Sequence, residues 1–144
     1  MREIGENPTP DRPRRRPGVA PPGWPRGVRP PGEAGWEDTA VAWLFDQCPP
    51  DYRDHAVLRA FPLVLARMAR QHVAAALAAA RDGYAGARVE LRGAVPVHGM
   101  DGVMRMYEHE GSRAAVTERA VGLVERALAG ERWPARQRPA DPPG

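Results

Sequence analysis

The fold is decided by residues 62–81, which read PLVLARMARQHVAAALAAAR. Proline is favoured in the first turn of a helix and alanine has the highest helix propensity, so a long helix is predicted to begin at Pro62. This helix reaches at least Arg81, and it extends to about Arg92 if Gly83 does not end it. Its alanine-rich second half would let a neighbouring helix approach closely.

Three further helices are predicted around this one, because apolar residues recur at the spacing of an amphipathic helix face. The predicted bounds are 37–47, 97–109 and 112–129, with a short helical turn at 54–60. Asp54 and Ser112 are the expected N-caps, and Gly130 is the expected residue beyond the last helix. No segment alternates with a period of two, so the sequence predicts an all-α bundle of about four main helices around a long central helix.

The prolines divide the chain into three parts. Nine of the 17 fall in residues 1–35 and four in residues 134–144, whereas only four lie between. The N-terminal stretch has almost no aliphatic side chains and cannot bury enough apolar surface to offset the entropy of ordering. We therefore expect a helical domain at residues 36–133, flanked by a disordered Pro/Arg-rich N-terminal tail and a short disordered C-terminal tail.

All 21 basic residues are arginine, and there is no lysine. Together with abundant alanine, glycine and proline, this indicates the codon bias of a GC-rich genome, so arginine need not mark phosphate binding. Residues 36–133 hold twelve arginines against thirteen acidic residues, which makes the domain nearly neutral. The composition does not imply a folded nucleic-acid platform.

Cys48 is the only cysteine, which excludes an internal disulfide and fits a reducing cytosol. It lies near the C-terminal end of the first helix, where the helix dipole disfavours a thiolate, so a structural thiol is expected. The N-terminal arginines precede no apolar segment, and the most apolar run contains arginines, so neither a secretory signal nor a membrane span is predicted. A cytoplasmic location is expected.

Five arginines of the long helix fall within an arc of about 60° when projected at about 100° per residue. They are Arg67, Arg70, Arg81, Arg88 and Arg92. Such a row could bind an acidic protein partner or phosphates, whereas codon bias on a solvated face would produce the same pattern. The row exists only if the helix continues through Gly83.

A polar loop formed by Asp51, Tyr52 and Arg53 is a second candidate recognition site, although Arg53 could instead bridge a neighbouring carboxylate. No metal-ligand spacing, phosphate-binding loop or nucleophile elbow occurs, so no catalytic, cofactor-binding or metal-binding residue is predicted. His72, acting with a carboxylate such as Asp46, is the candidate for a small enzyme. A core histidine with one hydrogen bond is the competing interpretation.

The predicted third and fourth helices also allow a helix-turn-helix interpretation, with a short glycine-containing link between them. The second of these helices would present four residues to a DNA groove: Ser112, Arg113, Thr117 and Arg119. Glu108, Glu110 and Glu118 would repel phosphate, which counts against this alternative.

A further set of residues spreads over most of the core and neither tail: Trp36, Trp43, Leu44, Phe45, Asp46, Pro49, Pro50, Asp51, Tyr52, Arg53, Leu58, Arg59, Pro62, His72, Gly83, Tyr84, Arg88, Glu110 and Gly111. This pattern resembles small all-helical actinobacterial proteins of uncharacterised function, and the resemblance implies a helical fold without an activity. We expect a non-enzymatic binding or regulatory protein that acts through protein–protein contacts, including self-association. DNA binding is the alternative, and a small enzyme is the least favoured interpretation.

Overall fold

The computed structural model describes residues 18–135. All the regular secondary structure in that part of the chain is helical. Its elements are α1 (Trp36–Asp46), a 3-10 helix (Pro50–Asp54), α2 (Ala56–Ala60), α3 (Pro62–Glu90) and α4 (Val97–Leu128). The described residues contain no strand, so the predicted all-α bundle with a long central helix is confirmed. Among these helices, none combines the length and hydropathy needed to cross a bilayer.

Two long antiparallel helices, α3 and α4, form a hairpin around which the domain is built. The predicted break between a third and a fourth helix is wrong, because α4 runs without interruption past Gly111 and Ser112. A glycine inside a helix costs about 1 kcal/mol relative to alanine. Here, a Cβ at Gly111 would lie 3.8 Å from that of Ala80, so the glycine lies in the seam where α3 packs on α4. The helix is therefore continuous at a point where it packs on α3, although local signals predict an end there.

The helix α3 continues through Gly83, which settles the question that the sequence left open. The ring of Tyr107 on α4 lies directly over this glycine, and a Cβ there would be 2.5 Å from the Cζ atom of the tyrosine. Gly83 therefore makes room for a side chain of the facing helix. It is a packing residue and not a helix terminator.

The main core lies at one end of the hairpin, where α1 packs against the first half of α3 and the second half of α4. Leu44, Leu65, Val121 and Val124 are its largest fully buried side chains. A smaller cluster lies near the other end: Ala87, Met100 and Met104, supported by Leu91, Val95, Val103 and Tyr107. No third helix of the described chain belongs to that second cluster. The far half of the hairpin therefore projects as a two-helix arm.

An N-terminal segment, residues 18–35, packs on the domain through a series of turns. Val28 is buried in the main core, and the ring of Trp24 contacts those of Trp36 and Trp133 at centroid distances of 6.3 and 6.0 Å. The Trp24 Nε1–H donates a hydrogen bond to the carbonyl oxygen of Val28, at 2.9 Å. This segment joins the start of the domain to its end.

The prediction of a disordered tail at residues 1–35 is therefore wrong for residues 18–35. Prolines reduce the entropy lost on ordering, and tryptophan supplies apolar area that a count of aliphatic residues overlooks. The disorder predicted for residues 1–17 and 136–144 lies outside the described residues. The first helix begins at Trp36, and the packed turns of residues 18–35 precede it.

Of the predicted helix-end residues, Gly130 is confirmed and Asp54 is wrong. Gly130 follows the end of α4 with φ 105°, as predicted for a residue in the left-handed region. Asp54 is not an N-cap, since the residue before α2 is His55 and no side chain caps that helix. Asp54 instead ends the 3-10 helix.

Replacing Trp24 by alanine should lower the free energy of unfolding by about 2–3 kcal/mol, because the half-buried ring contacts two other tryptophans. Urea denaturation monitored by circular dichroism measures the change. The neighbouring exposed Arg26→Ala variant should stay within about 0.5 kcal/mol of the parent chain. Equal stability of both variants would mean that residues 18–35 do not anchor the domain.

Gly83→Ala should destabilise the domain by about 1–2 kcal/mol, because overlap with Tyr107 outweighs the better helix propensity of alanine. Gly102→Ala is the matched control within α4, where a Cβ would meet no atom within 4 Å. That control should gain up to about 1 kcal/mol. Urea midpoints measure both values, and a gain in both variants would contradict the assigned packing.

Candidate functional site

One side of the α3/α4 hairpin is open along its length, and we call it the open face. A proximal groove of about 610 Å³ lies between residues 63–70 of α3 and residues 122–129 of α4. A distal groove of about 520 Å³ lies between residues 77–84 and residues 107–115. On the other side, α1 packs over the base of the hairpin.

The arginine row lies on this open face. Because α3 is continuous to Glu90, it carries Arg67, Arg70, Arg81 and Arg88, all exposed, at the spacing of one helix side. Arg67 and Arg70 line the proximal groove, and Arg81 lines the distal groove. Arg92 does not join the row, since it lies in the loop between the two helices.

Acidic residues of α4 face this row, and the sequence interpretation did not include them. Nε of Arg70 donates to a carboxylate oxygen of Glu125 at 2.5 Å, and a second contact of the same pair measures 3.5 Å. Glu108 lines the distal groove opposite Arg81. The arginine row, for which the sequence allowed an acidic partner, phosphates or codon bias, thus lies beside carboxylates of α4, and the face carries charges of both signs.

Three arginines of the row remain available to a partner. Within residues 18–135, no carboxylate lies within 4.0 Å of Arg67, Arg81 or Arg88. Arg126, on the α4 wall of the proximal groove, is different because it donates two hydrogen bonds of 2.6 Å to Glu131. These bonds hold the pKa of Glu131 below its ordinary value.

Apolar side chains are exposed beside these charges. Leu63, Val64 and Tyr84 line the grooves while exposing between 42% and 46% of their surface. The floor is formed partly of small residues, such as Ala80, Gly111, Ala115 and Gly122. Shallow apolar grooves rimmed by charge are typical of surfaces that bind other proteins.

His72 lies on the side of α3 opposite the open face. Its ring contacts that of Tyr52 edge-on at 6.2 Å, and it lines a small depression of about 170 Å³ together with Glu110 and Thr117. Asp46, the carboxylate suggested for an enzyme, is ion-paired with Arg53 at 2.7 Å and does not line this depression. The structure does not bring the proposed His72–Asp46 pair together.

The candidate loop site is a 3-10 helix whose side chains make internal contacts. Arg53 forms the ion pair with Asp46, and its guanidinium lies 5.7 Å from the ring centroid of Phe45. Tyr52 packs against the main core, and only Asp51 is free of such contacts among these three. These contacts fit the structural interpretation of the loop better than a recognition site.

The four residues of the helix-turn-helix alternative do not form one surface. All four lie on the single helix α4. Ser112 lines the distal groove of the open face, whereas Arg113 and Thr117 line the depression on the opposite side. With neither a turn nor a shared face, this region has no two-helix unit of the DNA-binding type.

The thiol of Cys48 is buried in the main core, 8% exposed. Burial raises the pKa of the Cys48 thiol above its ordinary value of 9.0, and the charge of Arg53 lowers the pKa in part. The group is therefore a protonated core residue at neutral pH. Within residues 18–135, no three histidine, cysteine or carboxylate side chains are grouped to hold a metal ion.

Comparison with protein-family models, with curated proteins and with solved structures gives no match for this chain. The resemblance to small actinobacterial helical proteins accordingly stays a prediction. The function is therefore inferred from the residues of the open face.

Cys48 should react with an aromatic disulfide reagent at least about tenfold more slowly in the folded chain than in urea, because it is buried and its pKa is raised. The protonated thiol favours the folded state below the ordinary pKa of 9.0, and this stability falls as pH rises through the higher folded pKa. Stopped-flow absorbance and alkaline urea midpoints measure both effects. Equal rates in both states would contradict the burial.

Proposed function

We propose that this chain is a non-enzymatic binding protein that contacts other proteins through the open face of the α3/α4 hairpin. The observation that supports this proposal is the pair of grooves, which combine exposed apolar side chains with charges of both signs. A protein partner can fill the grooves with apolar side chains and pair with the rim charges. Phosphate would satisfy the arginines but would be repelled by Glu108 and Glu125.

The shape of the domain supports the same proposal. The two grooves measure about 520 and 610 Å³, within the roughly 300–1,000 Å³ of small-molecule sites, but they are open to solvent and do not bury a ligand as an enclosed pocket does. The depression beside His72 measures about 170 Å³, well below the usual range for ligand sites. An interaction surface is therefore favoured over a small enzyme.

A double variant, Leu63→Ser with Tyr84→Ser, should weaken partner binding by at least about tenfold, because it removes apolar contacts from both grooves. The immobilised full chain, incubated with a lysate of its source cells, should retain a specific protein that the double variant does not retain. Titration of the purified pair then measures the affinity.

The matched control is Val97→Ser with Val116→Ser, which changes two exposed apolar residues of α4 that line neither groove. This control should retain the partner at unchanged affinity. Equal loss in both double variants would contradict a specific open face. Retention of duplex DNA that depends on Arg113 and Arg119 would favour the DNA-binding alternative instead.

A further inference from the structure

The two walls of the open face carry unequal charges. On α3, the charged residues that line the grooves are Arg67, Arg70 and Arg81. On α4, they are Glu108, Glu125 and Arg126. Arg126 is already paired with Glu131, and Glu125 is paired with Arg70 of its own copy. The charged groove residues without an ion pair among residues 18–135 are therefore Arg67 and Arg81 on α3 and Glu108 on α4. Arg81 and Glu108 lie on opposite sides of the distal groove, and such a pair of opposite charges is complementary to the same pair in a second copy.

We propose that the open face is where two copies of this chain pair, with Arg81 on α3 of one copy meeting Glu108 on α4 of the other. This inference rests on the proposed function, because it names the partner of the same face. The second copy supplies the apolar side chains that fill the grooves and the Glu108 carboxylate that meets Arg81.

The charge pattern selects one arrangement of the two copies. Within the hairpin, Arg70 lies level with Glu125 and Gly83 lies level with Tyr107. A two-fold axis parallel to the hairpin places α3 of one copy over α4 of the other at the same level, so Arg81 meets the region of Glu108. A two-fold axis across the hairpin places α3 on α3 and sets arginines against arginines.

The size of the face is sufficient for a stable dimer. From Leu63 to Arg88, α3 spans about 38 Å at about 1.5 Å per residue, and two adjacent helices are about 20 Å wide. The resulting area of about 760 Å² per copy is close to the roughly 800 Å² per partner of a standard interface. Residues 36–133 are nearly neutral, with twelve arginines and thirteen acidic residues, so net charge does not oppose the pairing.

Sedimentation equilibrium of the full chain should show a reversible dimer. Arg81→Glu and Glu108→Arg should each weaken self-association by at least about tenfold, because each places like charges across both symmetry-related contacts. An equimolar mixture of the two variants should recover dimerisation, since the acidic pair of one copy then faces the basic pair of the other. Pairing within a single copy cannot produce this recovery.

Arg113→Glu makes the same charge change on the opposite side of the arm and should leave the dimerisation constant unchanged. Circular dichroism establishes that each variant remains folded. A second measurement leaves the open face unchanged. In a Cys48→Ser, Ala94→Cys chain, a spin label is attached at position 94, in the loop between α3 and α4. The labels of the two copies should lie near each other in the dimer. Separation by about 40 Å or more, roughly the length of α3, would overturn the parallel-axis arrangement.

A full chain that stays monomeric at the highest attainable concentration overturns the inference, as does a variant mixture that fails to recover dimerisation. If the chain is monomeric while the Leu63→Ser, Tyr84→Ser variant loses a different protein partner, the inference fails and the proposed function stands. If neither self-association nor another protein depends on the open face, both fail.

Discussion

The close approach of α3 and α4 is the constraint on which the rest of the structure depends. Gly111 lies against Ala80, and the ring of Tyr107 lies over Gly83, so the seam between the helices is narrow. Such small residues let the helices pack tightly, but they bury little apolar area of their own. Larger side chains on the flanks of the seam must then be covered by something else. At the base of the hairpin α1 and residues 18–35 cover one flank, and the open face is the other flank.

The helical character of the domain could be predicted because it depends on local sequence signals. Apolar spacing, the alanine-rich run and Pro62 determine α1 and α3 closely. The break predicted between His109 and Ser112 is wrong, because such local signals end a helix only where packing on a neighbouring helix does not outweigh them. At Gly111, α4 packs against Ala80 of α3, which is distant in sequence. The disorder predicted for residues 18–35 is wrong for a related reason. The contacts of Trp24 with Trp36 and Trp133 cannot be read from amino-acid composition.

For the candidate site, too, the part that depends on one helix could be predicted, and the contacts between helices could not. A helix projection places four arginines on one side of α3, because that geometry depends only on positions along one element. It cannot show that Glu125, 55 residues further along the chain, pairs with Arg70. Nor can it show that α3 ends at Glu90 and so excludes Arg92. Because α4 adds Glu108 and Glu125 beside the arginine row, the open face carries charges of both signs.

The arm also explains why an occupant of the open face would matter to the protein itself. In the far half of the hairpin the buried cluster consists of Ala87, Met100 and Met104, a small core for two long helices. Local stability follows buried apolar area, so this half should open more readily than the base. A ligand that binds only the folded arm stabilises it in proportion to its free concentration and affinity. Binding at the distal groove and ordering of the arm are therefore linked, because that groove exists only while α3 and α4 remain packed along the arm.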